Sequence, residues 1–367
     1  MHDSASDVDL GPVVAAARHD PSFLAARVSL AGAEHLVAAE LGLDRRGLQR
    51  LLLCRPPSVS QFAADVHAIA DLIGLQPDHL ASVLRKVDAV GGLRWIDEQL
   101  RFGRAGMLAA ARDVSDDHVS SGTEHAEHLR ELAERFWSAA PGPVVRERDL
   151  SAAIAWSARL AVVALSPLTL GRIRQWLQDR DVPVSGESDE STVRGFLVAW
   201  RGVGVVFFDG TLDAAERRFT LAHELGHFLL DYDEPRRRVL RDAPDLLEVV
   251  DGVRTPTSAD RAQALMARVP VGVHTHLLED ERNGAGSGNR DHAEDQASRF
   301  ALELLAPWEE ALDAVRDAAR QPGPYRLVLA RGARLMSERF SLPAHAAQSR
   351  TRQALDELGV RPGFFDR

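Results

Sequence analysis

From Ser22 to Val87 the alternation of apolar and polar positions is helical. Breaks divide the stretch. Gly42 ends a helix over Ala31–Leu41, and Asp44 is placed to cap the next, Arg45–Cys54, which stops at Arg55-Pro56-Pro57. Ser58 or Ser60 caps a longer helix through Ile73, closed by Gly74, and another follows from about Asp78 to Val87. Short helices at short spacing predict a compact helical domain over residues 1–90. Gly91-Gly92 marks a break, and residues 91–145 read as a charged helical linker region with a polar gap at Asp113–Thr123. Pro141-Gly142-Pro143 is the clearest boundary signal, and a second domain, 146–320, starts after it.

In that domain Ser151–Leu165 reads as an apolar helix and Thr169–Arg180 as another. The period then changes. Val193–Trp200 and Val203–Asp209 are rich in Val, Phe and Trp and flank Arg201-Gly202, which predicts a β-hairpin. Asp213 and Glu216 have capping-box spacing and open a helix to about Tyr232. Residues 233–290 look irregular, with Arg236-Arg237-Arg238, several prolines and the Gly-rich stretch Asn283–Asn289, and read as a long, partly mobile insertion. A helix resumes over His292–Leu305 and breaks at Pro307. The tail, 321–367, alternates helical stretches around Leu342-Pro343. The fold class expected is mainly α with a small β-sheet, α+β.

Composition narrows the function. The 367 residues leave room for two or three domains of about 150 residues. With 45% hydrophobic and 27% charged residues, global disorder is excluded. A net charge of −10 excludes a wholly basic nucleic-acid-coating protein and leaves a local basic face open. The single cysteine, Cys54, excludes an intrachain disulfide and a multi-thiolate zinc site, and suits a reducing cytoplasm. Met1–Ala17 holds no Lys or Arg, so no secretory leader is expected, and the apolar runs are too short for a membrane span.

Residues 223–227 read His-Glu-Leu-Gly-His. On a helix His223 and His227, at i and i+4, share a face and can bind one metal ion. Glu224 is offset by one residue. It can act on a water at the metal's open position without becoming a ligand, taking a proton during attack on a carbonyl. Two exposed helix histidines are the plain alternative. Against it, Phe219, Leu221, Ala222, Phe228 and Leu229 surround the motif, and buried imidazoles need partners. A catalytic zinc usually takes three protein ligands. Leu230 and Asp233 stand where an extended motif has glycine and a third histidine, so that arrangement fails. Asp233 is a conceivable ligand, but the chain has no easy turn at Leu230. Glu294, on a later helix, is well placed and shares a face with the small residues Ser298 and Ala301, while Glu303 points away. Arg299, His292, Tyr232, His274 and His276 are candidates to stabilise an oxyanion, each with a plainer reading as a packing or surface group.

Two separated signatures, Phe219-Thr-Leu-Ala-His-Glu-Leu-Gly-His227 and Glu294-x-x-Ala-Ser-Arg-Phe-Ala-Leu-Glu-Leu-Leu-Ala-Pro307, resemble the ImmA/IrrE family of metallopeptidases. The hairpin and the tail Leu335–Ala347 fit too, so the resemblance covers about 150–360. It implies a zincin-like domain, Glu294 as third ligand, and a protein substrate, a helix-turn-helix repressor, cut or at least inactivated to release stress or mobile-element genes. Ser298 stands where the family usually has Asn, and the 66 positions from 228 to 293 make a long spacer. That insertion is expected to be a lid, a docking arm or an autoinhibitory segment.

Ala33–Leu84 resembles the Xre/Cro helix-turn-helix, with Arg45–Cys54 as the recognition helix. Arg45, Arg46, Gln49 and Arg50 would then face the major groove and Arg55 a phosphate. A solvated basic face, or a grip on a repressor's dimerisation surface, are the alternatives, and Leu51–Leu53 is unusually apolar for a recognition helix. The expected protein is thus a cytoplasmic zinc metalloendopeptidase, with Mn or Fe not excluded as its ion. Its partners would be a protein substrate and DNA, no membrane, and a homodimer is left open. The alternative is a DNA-binding regulator that uses the metallopeptidase-like fold as a non-catalytic sensor.

Overall fold

The computed structural model describes residues 9–94, 100–102, 122–140, 149–182, 184–186, 190–251, 253–254, 256–267, 269, 274–278 and 288–362. The fold is α+β, mainly helical around a four-stranded mixed sheet. The chain opens with α1 Gly11–Ala17, α2 Leu24–Leu30, α3 Glu34–Leu41, α4 Arg45–Leu52, α5 Phe62–Ile73 and α6 Pro77–Leu93. Local chemistry sets these bounds. Gly42 and Gly74 end α3 and α5 in the left-handed region, at φ 61° and 82°. Asp44 caps α4, its Oδ1 accepting the Gly47 N–H at 2.7 Å. Ser58, rather than Ser60, is tied to the start of α5: its N–H and its hydroxyl both donate to Asp65.

The break expected at Gly91-Gly92 is absent. Helix α6 runs through both glycines to Leu93, so the boundary placed at residue 90 falls inside a helix. The glycines serve packing. A Cβ on Gly92 would stand 2.7 Å from Val203, on the sheet, and one on Gly91 would touch Ala31. Helix α6 also carries Arg85, whose Nε donates to Ala155 O at 2.8 Å and whose guanidinium lies over the Phe62 ring. Burial brings its pKa down to about 10. The amino-terminal helices therefore share one continuous core with the later part of the chain.

Next come β1 Leu100–Phe102, α7 Gly122–Ala139, α8 Leu150–Ser157, β2 Leu160–Leu165, α9 Leu170–Gln178 and β3 Val184–Gly186. Strands β1 and β3 form a small parallel pair. The polar gap at 113–121 and the signal at Pro141–Pro143 lie outside the described residues. The single apolar helix expected over Ser151–Leu165 is instead helix then strand: Ala158 is extended and ends α8, and β2 follows. A strand paired in parallel reads as an unbroken apolar run, which periodicity cannot tell from a buried helix.

The hairpin is present as β4 Gly195–Trp200 and β5 Val203–Asp209. Arg201 and Gly202 both have positive φ, 50° and 76°, the turn that matches the twist of a two-residue hairpin. The sheet order is β2-β5-β4-β6, with β2 parallel to β5 and the other pairs antiparallel. Alternate residues face opposite cores. Leu197, Ala199, Val206 and Phe208 join the main core, while Phe196, Val198, Trp200, Val205 and Phe207 join a second with Leu93 and Ile173.

Asp213 caps α10 Ala214–His227 through the Glu216 N–H at 2.9 Å. The helix does not stop at Tyr232. It passes through a π-helical turn, Phe228–Asp233, into α11 Glu234–Asp242. Where described, the region expected to be irregular is ordered. It holds a short 3-10 turn, α12 Leu247–Val250, α13 Ser258–Ala267 and β6 His274–Leu278, the fourth strand of the sheet. Val239, Leu246, Val250 and Val269 give it a small core. It is tied to the hairpin turn through Asp251, whose carbonyl accepts the Arg201 Nε–H at 3.3 Å and whose carboxylate pairs with Arg236 at 2.8 and 2.6 Å, and beside it Tyr232 Oη accepts the Gly202 N–H at 2.7 Å.

The chain closes with α14 Gly288–Leu305, α15 Trp308–Ala319, α16 Tyr325–Phe340 and α17 Ala344–Glu357. Buried Arg350 on α17 holds α14 through Glu303 at 2.6 Å and the Ala306 carbonyl. No described helix is long and apolar enough to cross a membrane.

Candidate metal centre

Helix α10 buries its second half. His223, Glu224 and His227 are 3%, 0% and 1% exposed. Between the histidines Gly226 has a packing duty: a Cβ there would stand 3.0 Å from Ala297 Cα and 3.2 Å from Ala297 O. The missing side chain lets α14 cross close to α10, and Glu294, three residues before the crossing, is carried to the histidines. Ala297 is the residue that meets the bare face of Gly226.

Three donor atoms converge. His223 Nε2 lies 3.2 Å from Glu294 Oε2 and 3.1 Å from His227 Nε2, and His227 Nε2 is 3.8 Å from the same carboxylate oxygen. Ligands about 2.0–2.1 Å from a tetrahedral ion stand about 3.3 Å apart, so these spacings suit one ion. His223, His227 and Glu294 are the group among the described residues that could hold a metal.

The other ring nitrogens are also held. His227 Nδ1 is 2.6 Å from Asp231 Oδ2, and His223 Nδ1 is 3.3 Å from Ser298 Oγ. A carboxylate at Nδ1 fixes the proton there and turns the Nε2 lone pair inward. A divalent ion placed among the two Nε2 atoms and the Glu294 carboxylate would satisfy all three at once. The donor set thus fits a divalent ion.

Residues 178–248 match the family model of the IrrE N-terminal-like domain, Peptidase_M78. That stretch is similar to a metallopeptidase-type domain. It spans the hairpin, the His-Glu-Leu-Gly-His helix and the π-helical turn, and ends before Glu294. No curated protein matches the chain.

Within the IrrE-like stretch, two residues escaped the sequence reading. Asp231 is one; its signal was a carboxylate four residues after His227, within reach on the same helical face. Gly195 is the other. A Cβ on it would lie 2.5 Å from Glu224 Oε1, so the first residue of β4 must be bare for the carboxylate to sit against the strand.

The structure sorts the remaining candidates. Asp233 is not at the centre: it pairs with Arg237 at 2.8 Å, and burial raises its carboxyl pKa against that pairing. Glu303 does point away, to Arg350 and the Trp308 N–H. Tyr232 is a packing residue held by Gly202, and burial pushes its phenol far above the ordinary range. His274 stacks on Tyr232, Arg299 pairs with Asp295 at 2.8 Å, and His292 bonds Gln296. The side chain of His276 lies outside the described residues. On α4, Arg45 and Arg46 are exposed and Gln49 is half-buried. Arg50 donates to the Leu72 carbonyl at 2.9 Å, while Leu51 and Leu52 are core.

Proposed function

We propose that this chain is a zinc-dependent endopeptidase whose ligands are His223, His227 and Glu294 and whose general base is Glu224. The carrying observation is the convergence of the two Nε2 atoms and the Glu294 carboxylate while Asp231 and Ser298 hold the opposite ring nitrogens. When bound, a divalent ion would supply Lewis-acid polarisation of a substrate carbonyl. Glu224, fixed against Gly195, takes the proton from an attacking water and passes it to the departing amine. Asp231 keeps the His227 ring oriented, and Ser298 does the same for His223 with a hydroxyl in place of an amide. A His, His, Glu set suits zinc and also accepts Mn or Fe.

The resemblance to ImmA/IrrE metallopeptidases supports a helix-turn-helix repressor as substrate, with release of the repressed genes as outcome. Residues 146–320 would form the peptidase domain, and a cytoplasmic location suits the single, free Cys54. Bound metal per chain, measured after zinc loading and desalting, tests the reading. About one zinc in the wild type and clear loss in Glu294→Ala are expected. No zinc in either would overturn it.

A second reading has one observation in its favour: α4 follows α3 after the three residues Gly42–Asp44 and exposes Arg45 and Arg46 from its first turn. In that reading these arginines contact DNA, and the protein is a regulator with a non-catalytic metal fold. Absence of any DNA affinity at low salt would remove it.

A further inference from the structure

Two features of the centre sit uneasily with a working peptidase. The first is closure. Glu224 is wholly buried and the two histidines nearly so, whereas Glu294 is 32% exposed. A general base must stand beside both the water and the peptide carbonyl it serves. The second is the state of β4, the strand whose Gly195 lies against the Glu224 carboxylate. Both of its edges are taken. One pairs with β5, its hairpin partner. The other pairs with β6, antiparallel from Ala199 opposite His274 to Gly195 opposite Leu278.

Strand β6 comes from the segment between His227 and Glu294, after the rest of the sheet is complete. It ends beside Gly195, so its last residue passes the strand position nearest the general base. An extended peptide binds most simply by adding a strand to a free sheet edge, with backbone bonds giving affinity and alternate side chains giving selectivity. Strand β4 lies against Glu224 at Gly195, and its outer edge is filled in just that way by the protein's own residues.

We infer that β6 occupies the substrate edge: residues 274–278 hold the place of an extended peptide, and substrates bind β4 by displacing them. The inference rests on the peptidase reading and sharpens it. The substrate class becomes an extended, unfolded segment, and the insertion becomes a brake built into the chain. A five-residue strand at the rim of a sheet has few backbone bonds to lose, which suits an element that must leave.

A reversible lock tests this. Val198 and Thr275 are directly opposite. In a Cys54→Ser, Glu224→Gln chain, Val198→Cys with Thr275→Cys would tether β6 when oxidised and free it when reduced. Ala199→Cys with His274→Cys is the second pair, should the first disturb folding; zinc content and thermal unfolding report that. The probe is a fluorescent synthetic peptide copying residues 271–281. Reduction should raise its affinity by at least about tenfold, since tethering cuts the competent fraction by that factor, and should speed hydrogen exchange in β4. Equal binding in both states, or none in either, overturns the inference. Binding is read without turnover, so the two readings fail separately. If reduction opens the peptide site but the Glu224 chain cleaves nothing, the peptidase reading falls and the displaced strand stands.

Discussion

Helices α4 and α10 both carry polar side chains along one face and dispose of them in opposite ways. Helix α10 buries Thr220, His223, Glu224 and His227, and the described contacts of its histidines are specific: Glu294, Asp231, Ser298. Helix α4 leaves Arg45, Arg46 and Arg50 at the surface and buries Leu51 and Leu52. A polar group taken out of water must find partners or cost several kcal/mol, so burial narrows what it can be for. An exposed arginine is compatible with many duties, and geometry alone selects none of them. The metal centre therefore has a strong structural argument, and the basic helix has only a position.

The contrast can be broken most sharply at Glu224. Glu224→Gln keeps shape and ligands but removes the base, so cleavage should fall by about 10²–10⁴-fold while bound zinc stays near one per chain. Peptidase assays beside elemental analysis check it, and retained cleavage would move the chemistry elsewhere. Next is Asp231→Asn, which leaves His227 a weaker partner. Zinc affinity should drop by about 10–100-fold, read by competition with a chelator. Gly226→Ala is smaller and structural. Its methyl would press on the Ala297 backbone, costing about 1–3 kcal/mol in denaturant unfolding and loosening zinc in parallel. Arg45→Ala with Arg46→Ala should move stability by no more than about 0.5 kcal/mol. If α4 reads DNA bases, the same pair should relax sequence selectivity, each lost base contact costing about 1–3 kcal/mol of discrimination.

What was legible in the chain follows the same division. Asp44, Asp213, Gly42 and the Arg201-Gly202 turn act through their own neighbours, so their residue types alone locate helix ends and hairpin. His223 and His227 stand out in the sequence because two donors on one helix must be spaced i, i+4, whereas Glu294 is tied to them through the family resemblance and the crossing of α14 at Gly226. The failures are all matters of tertiary context. Leu160–Leu165 is a strand because β5 lies beside it, and nothing within the run distinguishes it from buried helix. Gly91-Gly92 looks like a break until Val203 and Ala31 are set against it. Gly195 needs α10 overhead before its bareness has a purpose. Strand β6 hid in a proline- and glycine-rich stretch because an edge strand of five residues needs little pattern of its own.

The passage of α6 through Gly92 bears on how such a gene could be shortened or spliced. Seventeen residues of helix reach about 25 Å, from Asp78, which accepts the Trp156 N–H, to the end that lies on Val203. A cut at the apparent domain boundary would sever that helix and bare part of the sheet on which the metal centre rests. The amino-terminal bundle is joined to the sheet surface it covers, so a truncation that spares the sheet has to leave α6 whole.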